Sequence, residues 1–132
     1  MKKKQNNFFY LIRWKSTVDE FYYGKHTRGV QYIIDTVIQE LQKDAKRKFI
    51  YVEMAFFSRW WHQQTDDMKK IVRQLVDEGR LEFINGGWCM NDEATAYYTD
   101  TIDQLSLGLK FIQNEFGDCS RPRIGWQVGK RN

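Results

Sequence analysis

Apolar residues recur along this chain in two rhythms, one helical and one extended, and the two alternate. Val30, Ile33, Ile34, Val37, Ile38 and Leu41 fall at i, i+3, i+4, i+7 spacing. That spacing puts them on one face and predicts a helix over residues 27–43. Met68, Ile71, Val72, Leu75 and Val76 form the buried face of another helix, which Thr65 caps and Gly79 stops. Asp66 and Asp67 suit the positive end of that helix. Ile102, Leu105, Leu109 and Ile112 are in register for a third, from Thr99 or Asp100 to Glu115, ended by Gly117. A shorter helix over 18–23 takes its cap from Ser16 or Thr17 and closes at Gly24. Between these, residues 48–54, 81–84 and 123–128 are β-branched or aromatic enough to be strands. Gly86-Gly87 lets the second strand turn sharply at its end, and Pro122 stands just before the third.

Strands separated by helices predict parallel β-α units of an α/β fold rather than a sandwich. Two of the strands open into loops dense with Trp, Phe and acids: F-I-Y-V-E-M-A-F-F-S-R-W-W-H-Q-Q over 49–64 and L-E-F-I-N-G-G-W-C-M-N-D-E-A over 81–94. That layout suits the strand-end face of an α/β sheet or barrel, where aromatics stack on a ligand and carboxylates meet it. Trp60, Trp61 and Trp88 are candidates to stack on carbohydrate, with packing beneath or between loops as the alternative. Asp92 and Glu93 read as a carboxylate pair, although neighbours in an extended segment point in opposite directions and also suit capping and loop hydrogen bonds. Glu53, at a strand end, carries the same two readings. His62 beside two Trp reads as a hydrogen-bonded structural histidine and His26 as exposed. A metal site from His26, His62, Asp92 and Glu93 has no recognised ligand spacing.

Size and charge narrow the classes. The 132 residues fit one domain with a modest core. The net charge of +4 arises from 21 Lys and Arg interleaved with 17 acids, with clusters only at 1–4, 43–48 and 130–131. Such a pattern describes solvated helix faces and tails, not the concentrated basic surface that nucleic acid needs. No stretch approaches the ~20 apolar residues of a membrane span. The apolar run at 8–12 falls short of the roughly 7–15 residues of a signal's hydrophobic region, and no small-residue cleavage site follows. Cys89 and Cys119 sit in no CxxC or Cys/His cluster and are expected to be two free thiols.

The two stretches above, with D-Q-L-S-L-G-L-K-F-I and R-P-R-I-G-W-Q-V further on, appear in the order found in glycoside hydrolase family 38, the zinc-dependent retaining α-mannosidases. The chain resembles that family from Trp14 to Val128. The resemblance implies a partial (β/α)7-type barrel, residues 14–128 supplying part of the amino-terminal catalytic domain. Its open edges and unpartnered apolar stripes imply poor folding alone. It further implies hydrolysis of α-linked mannose in glycoprotein oligosaccharides, a lysosomal address, and zinc as the family's metal. The family's His-x-Asp zinc ligands precede a Trp that packs against the bound mannose. Aligned on Trp14, those ligand positions hold Phe9 and Leu11, neither able to bind zinc. The family's Trp-x-x-Asp-Pro-Phe-Gly segment supplies an Asp that is both ligand and nucleophile. Aligned on Trp126, that position holds Gly129, and no Pro-Phe-Gly follows. The expectation is therefore no catalytic residue, no metal site and no cofactor in this chain. The retained substrate contacts would be Trp14, Trp60, Trp61, Trp88, Asp92 and Glu93, and a partner, if there is one, would be a mannose-containing oligosaccharide, with neither nucleic acid nor membrane expected. Two functional readings follow: an inactive mannosidase segment, or a catalytically dead module that binds carbohydrate or regulates.

Residues 1–13 and 129–132 fall outside the resemblance and read as translated intron. Gly129-Lys130 can be encoded GGT-AAG, which contains the usual start of an intron, and Phe8 to Arg13 is what a pyrimidine-rich tract ending in AG translates to. Genomic sequence across both junctions is expected to show those splice signals, with Asp-Pro-Phe-Gly just downstream. Unrelated confirmed coding exons on either flank would refute this.

Overall fold

The computed structural model describes residues 29–92 and 95–128. The helix expected at 18–23 lies outside the described residues. Helix α1 (Val30–Lys43) buries Val30, Ile34, Ile38 and Leu41, the stripe that its spacing predicts. Its carboxyl end is closed by Arg80, whose Nη2 donates to the carbonyls of Leu41 and Asp44. Strand β1 (Phe49–Tyr51) follows, then α2 (Met54–His62), α3 (Asp66–Asp77) and strand β2 (Leu81–Phe83). The Thr65 hydroxyl accepts the Met68 N–H at 3.3 Å, so the predicted cap opens α3. After β2 come β3 (Asn91–Asp92), α4 (Tyr98–Phe116), a 3₁₀ turn (Asp118–Ser120) and β4 (Gln127–Val128).

Two corrections concern element type and length. The segment after β1, expected to be a loop, is helical. The β1 strand stops at Tyr51 rather than Met54 because the next donors bond elsewhere: Met54 N–H reaches the Gly87 carbonyl at 3.1 Å and Ala55 N–H the Trp88 carbonyl at 2.9 Å. Those bonds satisfy the open end of α2. The last predicted strand shrinks from 123–128 to Gln127–Val128.

Parallel pairing joins β1 to β2, with Phe49 opposite Leu81 and Tyr51 opposite Phe83. It also joins β3 to β4, with Asn91 opposite Gln127. The described residues therefore form an α/β unit with two short parallel pairs, not a closed barrel. Asn85 links the pairs. Its N–H donates to the Ile124 carbonyl at 2.7 Å, and its side-chain Oδ1 accepts the Trp126 N–H at 3.4 Å. A parallel neighbour makes the same two bonds around the residue between, here Gly125, with its backbone carbonyl as the acceptor. At Asn85 that carbonyl has turned away, since φ is 60° and Gly86 N–H closes a three-residue turn onto the Ile84 carbonyl at 2.7 Å.

The core lies between the strands and the helices. The Phe57 ring has Tyr51, Trp60, Trp61, Phe83 and Phe116 around it at centroid distances of 5.0 to 6.2 Å. Helix α4 reaches this core with its second half: Ile112 is buried, whereas Ile102, expected on the same face, is 54% exposed. The contact is set by glycine. A Cβ on Gly108 would lie 2.0 Å from the Gly86 carbonyl oxygen and 2.7 Å from the Gly87 carbonyl carbon. One on Gly86 would meet Pro122 at 2.7 Å and Leu109 at 2.8 Å.

Gly108→Ala is therefore expected to destabilise the chain by at least ~2 kcal/mol in urea unfolding, as overpacking against backbone does. An unconstrained helix position would instead gain about 1 kcal/mol from the same change. Leu107→Ala, on the exposed side, is expected to stay within about 0.5 kcal/mol.

Candidate functional site

The carboxyl ends of β1 and β2 meet the segment 86–92, and the polar groups of the candidate site gather there. Glu53 follows β1 and occupies the N-cap position of α2 without capping it through its side chain. Its half-buried carboxylate instead accepts the Met90 backbone N–H. Burial pushes the Glu53 pKa above the ordinary carboxylate value, and the Met90 bond opposes that rise only in part. The Cys89 thiol is also pushed up, first by burial and then by the Glu53 charge. Such a thiol is a poor nucleophile. Both Cys89 and Cys119 are free and exposed.

Behind this rim runs a chain of side-chain amides. Cys89 N–H donates to Gln104 Oε1 at 2.9 Å, Gln104 Nε2 to Asn91 Oδ1 at 2.8 Å, and Asn91 Nδ2 to Asn85 Oδ1 at 2.9 Å. A backbone N–H enters at each end, from Cys89 and from Trp126, and each can only donate. The orientation of all three amides follows from that. The relay ties α4, through Gln104, to both β3 and the end of β2. The Trp88 N–H adds a bond to the Gln104 carbonyl at 3.0 Å.

The residues expected to contact substrate are dispersed. Trp60 and Trp61 are each 1% exposed, and as stacking platforms they are corrected: α2 is a helix and turns both indoles inward. Trp60 Nε1 donates to Asp35 Oδ1 at 2.7 Å, and Trp61 Nε1 to Glu115 Oε2 at 2.9 Å. Arg73 and Lys69 cover the Trp61 ring at 5.1 and 5.7 Å. Trp88 is half-buried beside the relay, and Asp92 is exposed in β3. Trp14 and Glu93 lie outside the described residues, as do Phe9, Leu11 and Gly129. His62 is exposed, its ring edge-on to Phe111 at 6.3 Å. Among the described residues no three His, Cys, Asp or Glu side chains are grouped to hold a metal ion.

Sequence reasoning missed Asn85, Asn91, Gln104 and Trp126 as parts of this site. The available signal was Asn85 before Gly86-Gly87, since Asn tolerates positive φ better than other non-glycine residues. The spacing of Gln104 on α4 gave none.

The pattern of the glycosyl hydrolases family 38 N-terminal domain matches residues 12–129, a span that takes in every element of this site. The chain belongs to this family. Among its relatives are the lysosomal alpha-mannosidase of Cavia porcellus, 53% identical over 121 residues, and that of Dictyostelium discoideum, 54% identical over 121. The alpha-mannosidase of Canavalia ensiformis is 46% identical over 121 residues. Each match covers 89% of this chain and 12% of the relative, so the family 38 chain here spans about an eighth of their length.

Glu53 gives the family 38 site a pH signature. With its folded pKa raised, the group stabilises fully below the ordinary value of 4.5 and loses that contribution as pH rises through the folded value. Urea midpoints of the chain are expected to fall from acid toward neutral pH on this account. Glu53→Gln keeps an acceptor for Met90, removes the buried charge, and is expected to flatten the profile; an unchanged slope would refute the assignment.

Proposed function

We propose that this chain is a segment of an α-mannosidase catalytic domain that keeps the strand-end scaffold for α-linked mannose in glycoprotein oligosaccharides and does not itself turn it over. One observation carries the reading. The family 38 match spans residues 12–129; Phe9 and Leu11, where the resemblance puts the family's zinc ligands, precede it, and Gly129, where it puts the nucleophile, is its last residue. A benzyl group, an isobutyl group and a hydrogen offer neither a metal ligand nor an attacking oxygen. Phe9, Leu11 and Gly129 therefore do not fit zinc.

Several features support the scaffold half of the proposal. Successive strands run parallel, and Asn85 joins the two pairs edge to edge, the order expected of neighbouring strands in an arc of a (β/α)7-type barrel. Glu53, Trp88 and Asp92 sit where strands of such folds present their ligand-binding loops. The Cavia porcellus and Dictyostelium discoideum relatives are named lysosomal, and the lysosome is the compartment proposed here. Among the described residues no helix is long and apolar enough to cross a membrane. Binding without turnover would rest on Trp88 and Asp92 among the described candidates, because Trp60 and Trp61 are enclosed.

The purified chain, assayed with an aryl α-mannoside and added zinc, is expected to give no turnover above background and no stoichiometric zinc by elemental analysis. Hydrolysis at rates ordinary for glycosidases, about 1 per second or more, would overturn the proposal.

A further inference from the structure

We propose that Asn85–Gly86 is a self-modification site, shielded in the folded chain, at which opening of the turn admits conversion of Asn85 to aspartate or isoaspartate. The sequence supplies the reactive pair. A side-chain amide followed by glycine lets the next backbone nitrogen reach Cγ with no side chain in the way. Base removes the Gly86 amide proton, Gly86 N bonds to Asn85 Cγ, the Cγ–Nδ2 bond breaks, and ammonia leaves. Water then opens the ring. Breaking N–Cγ returns an ordinary aspartate, while breaking the bond to the former backbone carbonyl leaves isoaspartate, whose main chain runs through Cβ and Cγ. The balance is amide plus water to acid plus ammonia, with no oxidant.

The fold blocks this chemistry. Two donors hold the Asn85 side-chain carbonyl, Asn91 Nδ2 at 2.9 Å and Trp126 N–H at 3.4 Å, and so keep Cγ from turning onto the Gly86 nitrogen. The departing Nδ2 is buried and has no acceptor among the described residues. The nucleophile is withheld. The Gly86 proton is given to the Ile84 carbonyl at 2.7 Å, and Gly86 is buried, so base cannot reach it. Its position is fixed further by α4, since Gly108 has no room for even a Cβ against the Gly86 carbonyl oxygen, at 2.0 Å. Release of this turn therefore frees the Gly86 nitrogen next to the Asn85 side chain.

The product bars the way back. An isoaspartate at 85 adds an atom to the main chain between the Ile124 bond and the Gly86 carbonyl. Neither the Asn85 pairing to residues 124 and 126 nor the glycine contact with α4 can absorb that length. Opening followed by conversion is thus a one-way exit from the folded state.

The test incubates the full 132-residue chain at mildly alkaline pH in native buffer and in urea. Peptide mass spectrometry and enzymatic isoaspartate methylation follow each asparagine. Asn85 is expected to lead all other asparagines in urea and to slow by at least about tenfold in native buffer, the protection of a buried, hydrogen-bonded amide. Equal rates in the two buffers, or another asparagine converting ahead of Asn85 in urea, would overturn the proposal. Asn91→Ala removes a bond that holds Asn85 and is expected to raise the native rate several-fold without changing the urea rate. An Asn91→Ala chain with an intact far-ultraviolet dichroism spectrum and no acceleration would also overturn it. If that variant has lost its fold, the parent's ratio between native buffer and urea decides alone.

Discussion

Backbone meets backbone where Gly108 of α4 lies on the Gly86–Gly87 turn, and the arrangement of the site follows from that contact. With no side chains between them, the helix comes close enough for the Gln104 side chain to receive the Cys89 N–H and pass its own donor to Asn91. Any larger residue at 108 would move the helix outward and part the relay at its first bond. The turn in turn fixes Asn85 in a left-handed conformation, from which its side chain takes over the pairing that its carbonyl gives up. One steric requirement thus sets helix position, amide orientation and sheet continuity together.

The indoles of α2 show how a polar atom is managed inside a dense aromatic core. Burying a tryptophan is favourable for its area and unfavourable for its N–H unless an acceptor follows it in. Trp60 finds Asp35 on α1 and Trp61 finds Glu115 on α4, so each indole bonds α2 to a different neighbour. Arg73 closes the arrangement by donating to the Glu115 backbone carbonyl at 3.0 Å while lying over the Trp61 ring. The same residues that looked like a sugar platform are the bolts of the helix layer.

That reversal marks what was legible in the sequence. Periodicity located α1, α3 and α4 because each has one apolar face, with Gly79 and Gly117 stopping the last two, and the parallel α/β class followed from their alternation with strands. It failed at α2, where the apolar run from Met54 to Phe57 continues the strand before it and only Arg59 and His62 mark an exposed side. Ile102 fitted the stripe of α4 but lies past the end of the core, a fact of packing rather than of spacing. The family motifs pointed to the strand-end segments as the candidate site. The relay stayed hidden because Asn85, Asn91, Gln104 and Trp126 come from four separate segments and meet only through tertiary structure.

A helix beginning at a ligand-facing strand end is ordinarily ready to hold phosphate or carboxylate with its first N–H groups. At α2 that capacity is spent, since the N–H groups of Met54 and Ala55 already serve the carbonyls of Gly87 and Trp88. The Glu53 backbone occupies the N-cap position of the same helix. The start of α2 is thereby closed to an anion at those two groups, a consequence of main-chain bonding alone.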